Sequence, residues 1–353
     1  MENCHNLFRI AISEASTLRS MMRENIRKTY QANGTLIILI PVFNDWKSLE
    51  MLLIRLDQVL KDENIQAEVI AVDDASSIAI HEDFMSYKVA AIKKVSVLDL
   101  RRNLGHQRAI AIGLAYTEEN IACQAIVVMD GDGEDDPVDV IRLIRKCEIE
   151  GYTKIVFARR SKRSESFIFK FFYLIYKGLY RLLTGQEIRV GNFSIIPRRI
   201  LCRLVAVSEI WNHYAAGVSK AKVPYTDIYS RRSTRLYGKS QMNFVQLVTH
   251  GLSAISVYGD IVGVRLLVTS CLLICLSFLS ILTVIGIRLL TKLAIPGWSS
   301  YLVGLFFIIF IQGFMLSLVF IFVVLMGRNN IGFIPKRDYH YFVLSIKEIL
   351  NYE

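Results

Sequence analysis

"VVMDGDGEDDP", residues 127–137, runs from an apolar stretch straight into five carboxylates within seven positions: Asp130, Asp132, Glu134, Asp135 and Asp136. Two carboxylates about 4 Å apart repel by roughly 4 kcal/mol at an effective dielectric near 20. A fold therefore keeps such a cluster solvated and spread apart, or neutralises it with a cation. A solvated acidic turn is the plain reading. An EF-hand loop is excluded, because counting from Asp130 its sixth position is Asp135 rather than Gly and its twelfth is Ile141 rather than Glu. A receiver-domain aspartate does not fit a chain that continues into long apolar segments. The remaining reading is a D-x-D site, in which Asp130 and Asp132 leave a strand end and grip Mg²⁺ or Mn²⁺ together with phosphate oxygens.

The surrounding pattern places that loop. "TLIILIPVF" (35–43), "AEVIAVDDAS" (67–76), "VSVLDL" (95–100), "AIVVMD" (125–130) and "KIVFARR" (154–160) read as strands. Helical segments separate them, one with Leu49, Leu52, Leu53, Leu56 and Leu60 on a single face and one opening at Pro137. Continuously apolar strands alternating with helices indicate an α/β fold, a mainly parallel sheet covered on both faces. Ligands of such sheets bind beyond the carboxyl ends of the strands. Here those ends carry Asp73 and Asp74, Arg101 and Arg102, Asp130 and Asp132, and Arg159 and Arg160, a rim suited to a metal and phosphates.

The chain has 353 residues, 53% of them hydrophobic, and a mean hydropathy of +0.37. The apolar excess collects after residue 260. Residues 266–287 carry no charge, and neither do residues 301–326. Each exceeds the roughly 20 residues that cross a bilayer as a helix, so two transmembrane helices are expected within 261–326. The first thirty residues hold Glu2, Glu14 and Glu24 and lack an apolar signal region, so the N-terminal bulk is expected to stay where it is made. With two spans present, the net charge of +10 is assigned to an anionic membrane face or a phosphorylated substrate rather than nucleic acid. The six cysteines form no CxxC pair, which fits a reducing compartment. "SFIFKFFYLIYKGLYRLLTG" (166–185) sets Lys170, Lys177 and Arg181 on one stripe, as in a helix lying at a membrane interface. The expected organisation is an extension (1–33), a catalytic domain (34–240) that includes the interface helix, a juxtamembrane helix (241–260), the two spans and a cytoplasmic tail (327–353).

The order of motifs resembles the family 2 glycosyltransferases of GT-A fold, most closely the polyisoprenyl-phosphate glycosyltransferases. These include dolichyl-phosphate mannose synthases and bacterial undecaprenyl-phosphate sugar transferases. "IPVFND" is similar to the family's I-P-x-Y/F-N-E, "VDDAS" to V-D-D-G-S, and "RRNLGHQRAIAIGL" to R-N-x-G-x-x-x-A-x-x-x-G. "MDGDGEDDP" is similar to D-A-D-L-Q-D-P-P, "FARRS" to the G-x-R-x strand, and "RLYGKSQMNF" to R-x-x-G-x-S-K-Y. The resemblance runs from about residue 35 to 326.

It implies that Pro41, Phe43, Asp45 and Asp73, with Asp130, surround the donor nucleotide. It implies that Asp130, Asp132 and Glu134 hold the metal, that Arg159 and Arg235 contact phosphates, and that Asn192 and Ser240 lie near the acceptor. Asp132, Arg159 and Arg235 are the catalytic candidates. The chain departs from the family where G-D-F-R becomes Gly191-Asn192-Phe193-Ser194 and where Lys-Tyr becomes Gln241-Met242. The implied reaction is metal-dependent, inverting transfer of a sugar from a UDP- or GDP-sugar to a polyisoprenyl phosphate. It takes place at the cytoplasmic face of a bacterial inner membrane, and a homo-oligomer stays open. Transfer to a hydroxyl, with Glu209 or Asp227 as weak candidates for its base, and a non-catalytic nucleotide-sugar binder are the alternatives.

Overall fold

β1 (Leu36–Val42) is apolar and buried at every position, as a strand covered on both faces must be. It lies inside an eight-stranded sheet in the computed structural model, which describes residues 34–86, 89–160, 167–187, 190–231, 233–238, 244–291, 297–329 and 332–351. The N-terminal extension, Lys239 and Ser240 fall outside these residues. The chain divides into two compact units, residues 1–164, 189–241 and 333–353 forming one and residues 165–188 and 242–332 the other.

In the first unit β1 is followed by α1 (Trp46–Asp62), β2 (Ala67–Asp73), β3 (Ile92–Leu100), α2 (His106–Asn120), β4 (Ala125–Val128), α3 (Pro137–Ile149) and β5 (Ile155–Arg160). These are the five strands expected from the apolar runs. β1 pairs in parallel with β2 and β4, and β2 with β3. The leucine face of α1 and the apolar face of α3 cover one side of the sheet, burying Leu49, Leu52, Leu53, Leu56, Val140 and Leu143. Ala109, Ile110, Ile112 and Leu114 of α2 cover the other. Each large apolar side chain buried in this way contributes about 1.5–3 kcal/mol.

Three further strands have no counterpart in the sequence reading. β6 (Ser194–Pro197) enters antiparallel between β4 and β5, leading into α5 (Arg198–Leu204). After α6 (Tyr214–Lys220), β7 (Tyr225–Ser230) extends the sheet in parallel with β5. At the opposite edge β8 (Val343–Asn351) pairs antiparallel with β3. The segment expected as a cytoplasmic tail is therefore part of the sheet. It is held there by Lys336, whose Nζ lies 2.6 Å from Glu118 Oε2, and by stacking of Phe333 on Trp211 at 3.7 Å.

The second unit contains α4 (Phe167–Thr184), α7 (Phe244–Ser256), α8 (Gly259–Leu290) and α9 (Trp298–Asn329). The segment read as an interface helix of the catalytic domain thus groups with the C-terminal helices. Tyr176 donates to the carbonyl of Gly251 at 3.0 Å, and Arg265 donates to that of Leu182 at 2.6 Å. α8 and α9 each contain an 18-residue stretch, with mean hydropathies of 2.5 and 2.8, and are long and apolar enough to cross a membrane. On α8 the buried residues are Gly263, Ser270, Ser277 and Val284, one every seven positions. That spacing keeps a single seam against a neighbouring helix. Small residues let the two backbones approach: the hydroxyls of Ser270 and Ser317 meet at 2.7 Å, and a Cβ on Gly263 would come within 2.5 Å of Val324.

Candidate active site

The carboxyl ends of β1, β2 and β4 meet along one rim, because β1 lies between β2 and β4 in parallel register. β4 ends its pairing at Val128, opposite Leu39. Pro41 therefore stands beyond that contact, where its missing N–H costs no bond to β4. Pro41 is buried inside β1, whereas Phe43, 41% exposed, presents its ring at the rim. Of these two residues on β1 and its end, Phe43 presents a surface at the rim, and Pro41 shapes the strand end.

The loops after β1 and β2 are laced together. Asn44, at φ 53, donates its backbone N–H to Ser76 Oγ at 2.8 Å. Its side-chain oxygen accepts from the N–H of Ile78 at 3.0 Å. Asp73 accepts from the N–H of Ser76 at 2.9 Å. Burial chiefly pushes the Asp73 carboxyl above the usual range, with the Ser76 hydrogen bonds pulling against it. Asp74 turns the other way and accepts from the N–H groups of Leu104 and Gly105 at 2.7 and 2.8 Å. It thereby fixes the turn from which α2 opens with His106.

The acidic loop divides its five carboxylates between two tasks. Asp135, 3% exposed, accepts from the N–H of Asp130 at 3.0 Å. Asp136 caps α3 by accepting from the N–H of Val138 at 3.0 Å. These two shape the loop, so the five acids do not all converge on one point. Asp132 accepts from the N–H of Glu134 at 3.0 Å. A second segment braces the loop: Leu236 donates its N–H to the carbonyl of Asp132 at 3.0 Å, and Ser233 to that of Glu134 at 2.9 Å. Gly133, at φ +80, is required here, since a Cβ would lie 2.3 Å from Leu236 Cγ.

That segment carries Arg235. Its Nη1 donates to Asp132 Oδ2 at 3.2 Å, its Nη2 pairs with Asp45 Oδ2, and its Nε donates to the carbonyl of Tyr237 at 2.9 Å. One guanidinium thus joins the acid after β1 to the second acid of the D-x-D. Burial holds the Asp132 carboxyl above the usual range, Asp130 and Glu134 push the same way, and Arg235 opposes them. Arg159 has different company, with Asp227 Oδ2 at 3.9 Å and the ring of Tyr229 at 5.4 Å. The structure therefore does not bring it to the acidic loop as a partner of Asp132.

His106 and Gln107 were missed by the sequence reading. His106 Nε2 lies 3.1 Å from Asp130 Oδ1 and 3.0 Å from Asn192 Nδ2. The Tyr214 backbone N–H donates to Gln107 Oε1 at 2.6 Å, and Gln107 Nε2 donates to Asn192 Oδ1 at 3.1 Å. A main-chain donor cannot reverse its role, so Gln107 must face Asn192 with its NH₂. Asn192 is oriented in turn, its oxygen toward Gln107 and its NH₂ toward His106. Gly105 preceding a helix start was the available signal for His106; no local pattern marks Gln107.

Among the described residues, no three His, Cys, Asp or Glu side chains already stand together as a metal cage. Glu134 is thus not gathered with Asp130 and Asp132 into a ready set. The donors of the remaining pair are hard carboxylate oxygens on adjacent turns of one loop. They fit a divalent cation that takes one or two carboxylates and fills its other positions from phosphate and water.

Residues 37–209 match the family model described as Glycosyl transferase family 2. The chain carries a glycosyltransferase domain of that family, in the fold the resemblance implied, and it is a glycosyltransferase. Among curated proteins it is 27% identical over 272 residues to the uncharacterized glycosyltransferase YkcC of Bacillus subtilis, covering 75% of this chain and 81% of that one. It is 26% identical over 273 residues to the undecaprenyl-phosphate 4-deoxy-4-formamido-L-arabinose transferase of Proteus mirabilis, covering 71% and 79%. Among solved structures it is similar to glucosyl-3-phosphoglycerate synthase from Mycobacterium tuberculosis, in complex with Mn²⁺, UDP-glucose and phosphoglyceric acid. That similarity has a TM-score of 0.47 and 13% identity, over 66% of this chain and 82% of that one.

Proposed function

We propose that this glycosyltransferase moves a sugar, with inversion, from a nucleotide-sugar to a polyisoprenyl phosphate at the cytoplasmic face of a membrane. The observation that carries the reading is the orientation of Asn192, fixed through Gln107 from the backbone of Tyr214. The position where the resembling family has an acid presents an amide, which takes no proton from an incoming group. A phosphate monoester needs none removed, because it is already anionic at neutral pH. A hydroxyl acceptor would need a base. Glu209 is engaged with Lys220 at 3.4 Å, and Asp227 stands beside Arg159 on β7. The phosphate reading also has support from relatives named as undecaprenyl-phosphate sugar transferases.

Phe43 and Asp73 would meet the base and ribose. Asp130 and Asp132 would hold Mg²⁺ or Mn²⁺, which when bound would neutralise charge developing on the leaving diphosphate. Arg235 offers a planar fork of donors suited to phosphate oxygens, and it already stands on the Asp132 side of the rim. Asn192 holds the acceptor side open to an anion where a carboxylate would repel one.

The membrane part of the reading rests on α8 and α9. Leu272, Leu276, Phe278, Phe307, Phe314 and Phe322 face outward, which suits lipid and not the core of a soluble protein. Both ends of that hairpin lead into one sheet, through Tyr225–Ser230 before it and Val343–Asn351 after it. A strand hydrogen-bonded into the sheet cannot lie across the membrane from it, so the chain crosses an even number of times.

The test is incubation of membranes containing the full chain with a panel of radiolabelled nucleotide-sugars, followed by organic extraction. Metal-dependent label in the organic phase supports the reading. Label that stays aqueous with every donor contradicts it.

A further inference from the structure

β8 takes no part in the site described above, yet its register brings it to that site's edge. Asp73 pairs with Asp99 across β2 and β3, and Asp99 pairs with Ser345 across β3 and β8. Residues opposite one another in a sheet share a face, and two positions along a strand returns to that face. Asp73, Asp99, Ser345 and Lys347 therefore lie on one face, the one whose inner positions Val69, Ala71, Val95 and Val97 belong to the core under α1.

Two side chains of β8 close on a single carboxylate. Ser345 Oγ donates to Asp99 Oδ2 at 2.7 Å, and Lys347 Nζ lies 2.7 Å from the same oxygen. The Asp99 side chain is only 12% exposed, while that of Lys347 is 63% exposed. Neighbouring strands stand about 4.8 Å apart, so Asp99 and Asp73 are like charges side by side. The charged groups around Asp73 are Asp74 on its own chain, Asp99 on β3 and Lys347 on β8; Asp99 raises its carboxyl and Lys347 lowers it.

We propose that Ser345 and Lys347, on the strand that follows the apolar hairpin, are positioning residues of the donor-nucleotide pocket, holding Asp99 in place beside Asp73 where Asp73 meets the nucleotide. Base N–H groups and ribose hydroxyls are donors, and an ionised carboxylate is their acceptor. Without Lys347, the Asp99 charge beside Asp73 loses its cation, and the two neighbouring carboxylates repel one another away from the positions that meet the nucleotide. The fold should tolerate the loss, because an exposed lysine contributes little to stability. The inference rests on reading Asp73 as a nucleotide contact.

The experiment titrates UDP, GDP, ADP and CDP into the purified full chain by calorimetry and carries forward the tightest. Lys347→Ala should weaken it about tenfold without changing the thermal midpoint appreciably. Lys347→Arg should restore it to within about threefold. Asp99→Asn added to Lys347→Ala should also restore it, because the charge that Lys347 offsets is then gone, whereas a merely structural lysine would not be rescued this way. Wild-type affinity in Lys347→Ala, or no rescue by Asp99→Asn, overturns the proposal. Asp73→Asn separates the two layers: wild-type affinity there overturns the reading of Asp73 itself. Lost affinity there with an unaffected Lys347→Ala overturns only the role of β8.

Discussion

Arg235 donates from Nη1 to Asp132 Oδ2 at 3.2 Å and turns its other terminal nitrogen to Asp45. The pairing spans 103 residues of sequence to Asp132 and 190 to Asp45, and it ties the acidic loop to the start of α1. A lysine has one terminal nitrogen and cannot hold both carboxylates in a fixed plane. Arg235→Lys should lower kcat/KM at least tenfold, about 1.4 kcal/mol of barrier. Steady-state kinetics on both proteins checks this, and equal values would remove Arg235 from the site.

Asp132→Asn should reduce transfer at least a hundredfold, about 2.7 kcal/mol. Excess chelator should abolish wild-type transfer, and Mg²⁺ or Mn²⁺ should restore it. Undiminished turnover in chelator would exclude the cation from the mechanism.

Glu134→Gln should leave activity within about tenfold. The backbone of Glu134 donates to Asp132 and accepts from Ser233, and neither bond depends on the carboxylate. A thousandfold loss would make that carboxylate a ligand in its own right.

Gly133→Ala should destabilise the domain by more than about 1 kcal/mol, since alanine is strained at positive φ and its Cβ would press on Leu236. Thermal unfolding measures it, and an unchanged midpoint would mean that the loop relaxes freely.

The hairpin predicts its own topology. In a cysteine-free background, a cysteine introduced at Ser300, in the first turn of α9, should react with an impermeant reagent outside intact cells. One at Tyr341, 75% exposed beside β8, should not. The reverse pattern would put the donor rim on the wrong side of the membrane.

The central sheet was legible because β1 and β4 are apolar throughout and β2, β3 and β5 each hold an apolar run, and buried parallel strands announce themselves without any partner. β6 is four residues long, too short for a pattern. β8 alternates weakly between polar and apolar, as an edge strand facing water does. Its place on β3 is a pairing across more than 240 residues that no local signal encodes. The rim followed the same division. Asp130 and Asp132 could be read from a strand ending in acids, and the bridge from Arg235 to Asp132 joins two motifs that were each visible alone. The chain from Tyr214 through Gln107 to Asn192 could not be read, because its meaning lies in which atom faces which. Asp135 and Asp136 were indistinguishable in sequence from the acids beside them, and only their hydrogen bonds to backbone N–H groups separate the two tasks.

The nature of the acceptor decides the account most directly. The purified full chain, with a radiolabelled donor chosen from the panel, is offered a polyisoprenyl phosphate and the matching dephosphorylated polyisoprenol, and Asn192→Asp is run beside the wild type. The account predicts transfer to the phosphate alone, with Asn192→Asp no faster than wild type on either lipid. Transfer to the alcohol, or a gain of a hundredfold or more in Asn192→Asp, would contradict it.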